Sequence, residues 1–167
     1  KDQRLLIPMY CQGELWNVQQ IQPDGAKRFL KGGRVSGCYM PIGTLSGHIL
    51  IAEGYATGCT MHEHTGWPVA VAFNAGNLRN VAVAIRKKHP EIQITICADN
   101  DTGTPGNPGL TKGREAAAAV GGHVIYPDFS DEPFTGTDWN DYLVQDGILD
   151  TLSIGQPLKT TITGDAV

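Results

Sequence analysis

The spacing of apolar and polar positions changes near residue 48 and divides the chain into two parts. The earlier part lacks helical periodicity, and residues 14–21 alternate apolar and polar side chains as a half-buried strand does. Pro23-Asp24-Gly25 is a strong turn signal and predicts a hairpin with the strand that follows. The strand-like segments are 5–10, 14–21, 27–30 and 38–42. Residues 1–46 are therefore predicted to form a small antiparallel β appendage.

From residue 48 onward, short apolar runs alternate with helical patterns. The expected strands are 48–52, 69–73, 92–98 and 123–127, and the expected helices are about 55–65, 78–88 and 110–120, with a short one at 138–144. Repeated strand–helix–strand order implies right-handed crossovers. The predicted fold class is α/β, with a mainly parallel sheet covered by helices on both faces over residues 47–150. The polar residues 151–167 are expected to form a disordered tail.

Composition limits the classes of protein that fit this pattern. The 167 residues have 41% hydrophobic side chains, enough for one domain with a small appendage. A net charge of −4 argues against a protein that binds nucleic acid through its overall charge. It does not exclude a local basic patch. No run of about 18 apolar residues occurs, so no membrane partner is expected. Four scattered cysteines without a Cys-x-x-Cys motif are expected to be reduced thiols of a cytoplasmic protein.

Two of the predicted strands end in acidic residues. The first runs into Glu53-Gly54, and the third runs into Asp99-Asn100-Asp101. Strands of a parallel sheet place their carboxyl ends at one edge, which is where ligands bind in open α/β sheets. Mg²⁺ prefers oxygen ligands and commonly takes one or two carboxylates together with substrate phosphates. We therefore expect these carboxylates to converge on a divalent cation.

This pairing resembles the Toprim domain, which bacterial-type primases share with topoisomerases and with some nucleases and recombination proteins. That family has a Glu, often followed by Gly, after its first strand and an Asp-x-Asp after its third, matched here by Glu53-Gly54 and Asp99-Asn100-Asp101. The hairpin with the segment 27–34 looks like the part that precedes Toprim in plasmid and phage primases. The segment 138–143 looks like the acidic segment after the last Toprim strand in primases. Together, these segments favour a DNA primase.

The resemblance implies a catalytic core that makes short RNA primers from nucleoside triphosphates on single-stranded DNA. Asp99 and Asp101 would bind Mg²⁺ or Mn²⁺, and Glu53 would act in proton transfer or share the metal. Asp138 and Asp141 are candidate ligands of a second metal. Alternatively, they serve as a helix cap and a first-turn carboxylate. The resemblance also implies a possible protein partner, which is a helicase or another replication domain of the same chain.

Eight further polar residues are candidates for contact with DNA or nucleotide. They are Lys27, Arg28, Lys31 and Arg34 in the hairpin segment, Asn74 and Asn77 after the second strand of the α/β part, and Lys112 and Arg114 in the helix after the acidic pair. The four hairpin cations either bind phosphates or lie on a solvated edge. The asparagines either contact nucleotide or turn the chain, and the helix cations either reach the triphosphate or lie in solvent. His62 and His64 would face different directions on a helix and are placed on the surface.

Two features depart from the primase pattern. The segment 102–108 is inserted where primases usually continue directly into a helix, and the zinc-binding module common in primases is absent, which suggests a fragment. Three alternatives remain open: a Toprim nuclease or topoisomerase component, a noncatalytic nucleic-acid-binding domain, and a receiver-like signalling domain. A receiver needs a Lys at the end of a late strand, whereas the last strand here ends in Tyr126-Pro127.

Overall fold

The computed structural model describes residues 3–129, 136 and 138–145. The first sheet has three antiparallel strands: β1 (Leu5–Cys11), β2 (Glu14–Ile21) and β3 (Lys27–Phe29). The second has five strands: β4 (Met40–Ile42), β5 (His48–Ala52), β6 (Val69–Val71), β7 (Gln93–Cys97) and β8 (His123–Ile125). The helices are α1 (Tyr55–Thr65), α2 (Ala75–Lys88), α3 (Pro108–Ala118) and α4 (Trp139–Gln145).

The five-stranded sheet has the order β4-β6-β5-β7-β8, and all its pairs are parallel except β4 with β6. The central strand β5 ends level with β7, since Ala52 lies opposite Cys97. Glu53 therefore leaves the sheet beside the residues that lead to Asp99. The predicted α/β fold with a mainly parallel sheet is confirmed.

Helices cover both faces of this sheet, as predicted. On one face, Ile49 and Ile51 pack with the apolar stripes of α2 and α3. On the other face, Leu50 and Ala52 pack with Met61 of α1 and with Trp139 of α4. The nearly continuous apolar run of β5 is explained by this double burial, because a strand covered on both faces has no solvent-facing side.

One strand pairs with a different sheet from the one predicted. The segment 38–42 was expected in the β appendage, but its strand β4 joins the five-stranded sheet, with Pro41 opposite Ala70 of β6. β4 covers a sheet edge that would otherwise expose unpaired backbone groups. The appendage stays attached to it through a bridge between Tyr10 and Tyr39. Placing this strand in the appendage is wrong, and the domain boundary at residue 46 stays a prediction.

Smaller differences concern the ends of elements and two side chains. α2 begins at Ala75, three residues earlier than expected, because the chain already turns at Phe73, whose φ is 73°, and Asn74 is the N-cap. His62 and His64 are half-buried rather than fully on the surface, and Nδ1 of each donates to a backbone carbonyl. The predicted tail 151–167 lies outside the described residues. Within the described ranges, no helix has the length and apolar character needed to cross a membrane.

Candidate active site

Glu53 lies at the carboxyl end of the central strand and is largely buried. Burial raises the pKa of its carboxyl group, although a hydrogen bond from the backbone N–H of Ala75 opposes that rise. The negative charge of Asp101 adds to the increase in pKa, and the positive charge of Lys27 reduces it. Because Ala75 is the first residue of α2, the Glu53 carboxylate sits against the start of that helix.

Asp99 follows the neighbouring strand β7 and carries the most perturbed carboxyl group of the site. Burial, followed by the charges of Glu53, Asp138 and Asp101, raises its pKa to about 8, and Lys27 opposes the increase. Its Oδ1 atom is buried and has no hydrogen-bond partner among the described residues. Four acidic side chains thus interact at the predicted edge of the sheet, and one buried oxygen is available for a ligand.

Asp101 is placed next to the start of α3. A Cβ atom on Gly109 would lie 3.1 Å from Oδ2 of Asp101 and 2.8 Å from the carbonyl oxygen of Asp99. Only glycine lets the helix approach the acidic segment this closely. The partial positive charge of a helix N-terminus favours a carboxylate in this position.

Asp138 and Asp141 lie at the start of α4, and the structure separates their roles. Oδ1 of Asp138 accepts the backbone N–H of Asp141 at 2.9 Å, so Asp138 caps the helix. The negative charge of Asp138 also raises the pKa of Asp99, so Asp138 lies near the acidic site. Asp141 packs closely against Gly136. A Cβ atom added to Gly136 would lie only 2.5 Å from the Cβ atom of Asp141. Binding of a second metal by this pair stays a prediction.

The acidic residues that the structure describes offer oxygen atoms to a divalent cation but are not gathered into a complete ligand set. Within the described ranges, no three His, Cys, Asp or Glu side chains are close enough together to hold a metal ion as they stand. The donor chemistry nevertheless fits, because the site offers hard carboxylate oxygens, one of them buried and unpaired. Mg²⁺ commonly needs only one or two carboxylates, since waters and substrate phosphates complete its octahedron.

The hairpin cations extend from this site along the appendage. Lys27 lies near enough to Glu53 and Asp99 to lower the pKa of both carboxyl groups. Arg28 and Lys31 are exposed. Arg34 lies 5.7 Å from the centroid of the Trp16 ring, which is 46% exposed. Of the four cations, Lys27 thus lies at the acidic site and Arg34 lies beside an exposed aromatic ring.

The other predicted contacts fall into different environments. Asn77 is 3% exposed, and its amide bonds to Gly37, Cys38 and Ala72, which leaves it little capacity for a nucleotide. Asn74 is half-buried at the start of α2, on the active edge. Lys112 pairs with Glu115 on the exposed face of α3 at 2.7 Å. Arg114 lies over the ring of Tyr126 at 5.9 Å. Their contacts with nucleotide stay predictions.

Sequence reasoning missed three residues that shape the site: Trp16, Asn107 and Gly109. Asn107 is the N-cap of α3 and is followed by Pro108, a pairing typical of helix starts that could have been recognised. The role of Gly109 depends on a close approach between two segments, and no local pattern reveals that. Trp16 carried one usable signal, an aromatic residue in the strand that pairs with the basic segment.

Fold and site together define an α/β domain whose acidic centre suits divalent-metal chemistry. The model of the Toprim domain matches residues 48–162, and the chain belongs to this family. Toprim domains bind metal, typically Mg²⁺. The receiver-like alternative is thereby set aside, and the resemblance on which the interpretation rests is confirmed.

The chain is also similar in sequence to two curated proteins. The chain is 42% identical to a DNA primase TraC of Escherichia coli over 138 residues, which cover 77% of this chain and 13% of that protein. A second DNA primase TraC of Escherichia coli is 39% identical over 138 residues, covering 77% of this chain and 10% of that protein. The chain therefore spans only a small part of the length of these relatives.

Proposed function

We propose that this chain is the catalytic core of a DNA primase, which joins nucleoside triphosphates into short RNA primers on single-stranded DNA with Mg²⁺ or Mn²⁺. The observation that carries the proposal is the meeting of Glu53, Asp99 and Asp101 at adjacent strand ends of a Toprim domain. The similarity to two DNA primases supports it. A helicase or other replication domain in the same chain belongs to the same proposal.

The reaction is the attack of a 3′ hydroxyl on an α-phosphate with release of pyrophosphate. A bound divalent cation would neutralise charge on the triphosphate and orient it. In this chain, Asp99 and Asp101 would hold that cation. Glu53 has a raised pKa and is fixed by the N–H of Ala75, so it is suited to accept the proton of the 3′ hydroxyl or to share the cation.

The template would lie along the hairpin cations. Lys27 is at the acidic site, and Arg34 with Trp16 is farther along the appendage. Cations follow the phosphates of a single strand, and exposed aromatic rings stack on its bases. The appendage therefore offers both cations and an exposed aromatic ring, the two properties of a surface that binds single-stranded nucleic acid.

Replacement of Glu53 tests the catalytic assignment. Glu53→Gln should lower primer synthesis by about 100-fold or more, in the range typical of general acid–base groups. The amide oxygen still accepts the N–H of Ala75, so the fold and nucleotide binding should persist. The measurement is incorporation of labelled nucleotide on single-stranded DNA by the full-length enzyme, with Glu63→Gln on the exposed face of α1 as the control.

Two outcomes would count against this assignment. Priming by Glu53→Gln at the rate of the parent and of Glu63→Gln removes Glu53 from catalysis. Cleavage of DNA by the parent without incorporation would favour the nuclease alternative over primer synthesis.

Replacement of the hairpin cations tests the template surface. The variant with Lys27, Arg28, Lys31 and Arg34 changed to Gln should bind single-stranded DNA more weakly. Each lost phosphate contact should flatten the slope of log affinity against log salt by about 0.7, because fewer counterions are released. The control is Lys87→Gln with Lys88→Gln, two exposed cations at the far end of α2. Equal slopes in the hairpin variant and the parent would show that these cations lie in solvent and do not bind phosphates.

A further inference from the structure

Two asparagines connect the acidic pair to helix α3 and to strand β8. The backbone N–H of Asp101 donates to Oδ1 of Asn107 at 3.0 Å. Nδ2 of Asn107 donates to Oδ1 of Asn100 at 2.8 Å. Nδ2 of Asn100 then donates to the carbonyl oxygen of Pro127 at 2.7 Å. This chain of hydrogen bonds runs from the start of α3, through the Asp-x-Asp segment, to the residues after β8.

Asn107 also fixes the end of the inserted segment. Its Oδ1 accepts the N–H of Leu110 at 3.4 Å and so caps α3. Its backbone takes a left-handed φ of 41°, which asparagine tolerates better than most residues. One side-chain oxygen therefore bonds both the first turn of the helix and the second aspartate of the acidic pair.

This arrangement solves a geometric problem at the acidic pair. Residues two positions apart in a continuing strand share a face, but their carboxylates are spaced along the strand rather than gathered at its end. β7 ends at Cys97, and the chain then turns. Asn100 is 6% exposed, and both polar atoms of its side chain are paired, so this buried amide holds the turn where water has little access to replace its partners.

We propose that Asn107, acting with Asn100, is a positioning residue that sets Asp101 for metal and triphosphate binding. The segment 102–108 then contributes to the structure of the site and is not merely an insertion on the surface. This inference rests on the metal site in the proposed function. Asn107 acts through the backbone of Asp101 and is assigned no contact with substrate.

The test uses Asn107→Gly. Glycine adopts positive φ freely and is among the residues preferred at a helix N-cap, so the variant should fold. The dissociation constant for Mn²⁺, measured by calorimetry, should rise about 10-fold or more, as for other residues that orient metal ligands. In metal-free protein, the Asp101 amide should lose protection from hydrogen exchange.

The matched control is Thr111→Val. It removes the hydrogen bond from Oγ1 of Thr111 to the carbonyl oxygen of Gly106, in the same segment, and leaves the Asp101 amide paired. Its Mn²⁺ affinity should match the parent even if its thermal midpoint falls as far as that of Asn107→Gly. Equal Mn²⁺ affinities in the parent and Asn107→Gly would overturn the positioning role alone. A parent that binds no Mn²⁺ would overturn the proposed metal site and this inference with it.

Discussion

The double variant Asp99→Asn with Asp101→Asn should lose Mn²⁺ affinity and gain stability in metal-free buffer. The loss should be about 100-fold or more, beyond the range typical of residues that only orient metal ligands. The gain has a different cause. Asp99 is buried beside Glu53, Asp138 and Asp101, so its charged form is disfavoured in the folded protein. Asparagine removes that cost.

The gain in stability should depend on pH in a defined direction. The pKa of Asp99 rises from 3.8 to about 8 on folding, so the folded protein holds a proton that the unfolded chain has released over this interval. Stability of the metal-free parent should therefore fall as the pH rises from about 4 to about 8. The advantage of the double variant should be small near pH 4 and largest near pH 8.

Calorimetry with Mn²⁺ and thermal unfolding in chelator measure the two effects. The control is Glu63→Gln with Glu91→Gln, which removes the same number of negative charges from exposed positions. If Mn²⁺ affinity is equal in the double variant, the control and the parent, the assignment of the metal ligands is wrong. A stability gain equal to that of the control would point to net charge rather than to the acidic site.

Trp139→Ala should be the most destabilising single substitution considered. Trp139 is 0% exposed and packs with Leu50, Met61 and Cys97, beneath the central strands. Truncation of a buried Trp to Ala typically costs about 3–5 kcal/mol, because apolar burial is lost and a cavity is left. That is a large share of the roughly 5–15 kcal/mol that stabilises an ordinary domain. Since Trp139 anchors α4, Asp138 should also leave the acidic site.

Urea unfolding of Trp139→Ala beside Trp16→Ala checks this expectation. Trp16 is half-exposed, and its contact with Arg34 is worth about 0.5–1 kcal/mol at such a site. The free energy of unfolding should therefore fall several times further in Trp139→Ala than in Trp16→Ala. Equal losses would show that α4 is not held by its buried tryptophan.

The sequence by itself determined most of the elements of the α/β part. Continuous apolar runs identified β5 and β7, because strands covered on both faces have no polar side. The apolar stripe at residues 78, 81, 82 and 85 identified α2, because it repeats at the helical period. Glu53 and the acidic pair were found because each directly follows such a strand, so the topology of a parallel sheet alone brings them to one edge.

Only the tertiary structure decided which segments those elements meet. A strand-like segment predicts that a strand forms but does not identify the strand it pairs with, so β4 was assigned to the wrong sheet. The contact of Gly109 with the acidic pair and the bond from Asp101 to Asn107 depend on where α3 docks. The pKa of Asp99 depends on burial and on charges brought from β5, the hairpin and α4. These are distances between segments remote in the chain, and local side-chain patterns carry no record of them.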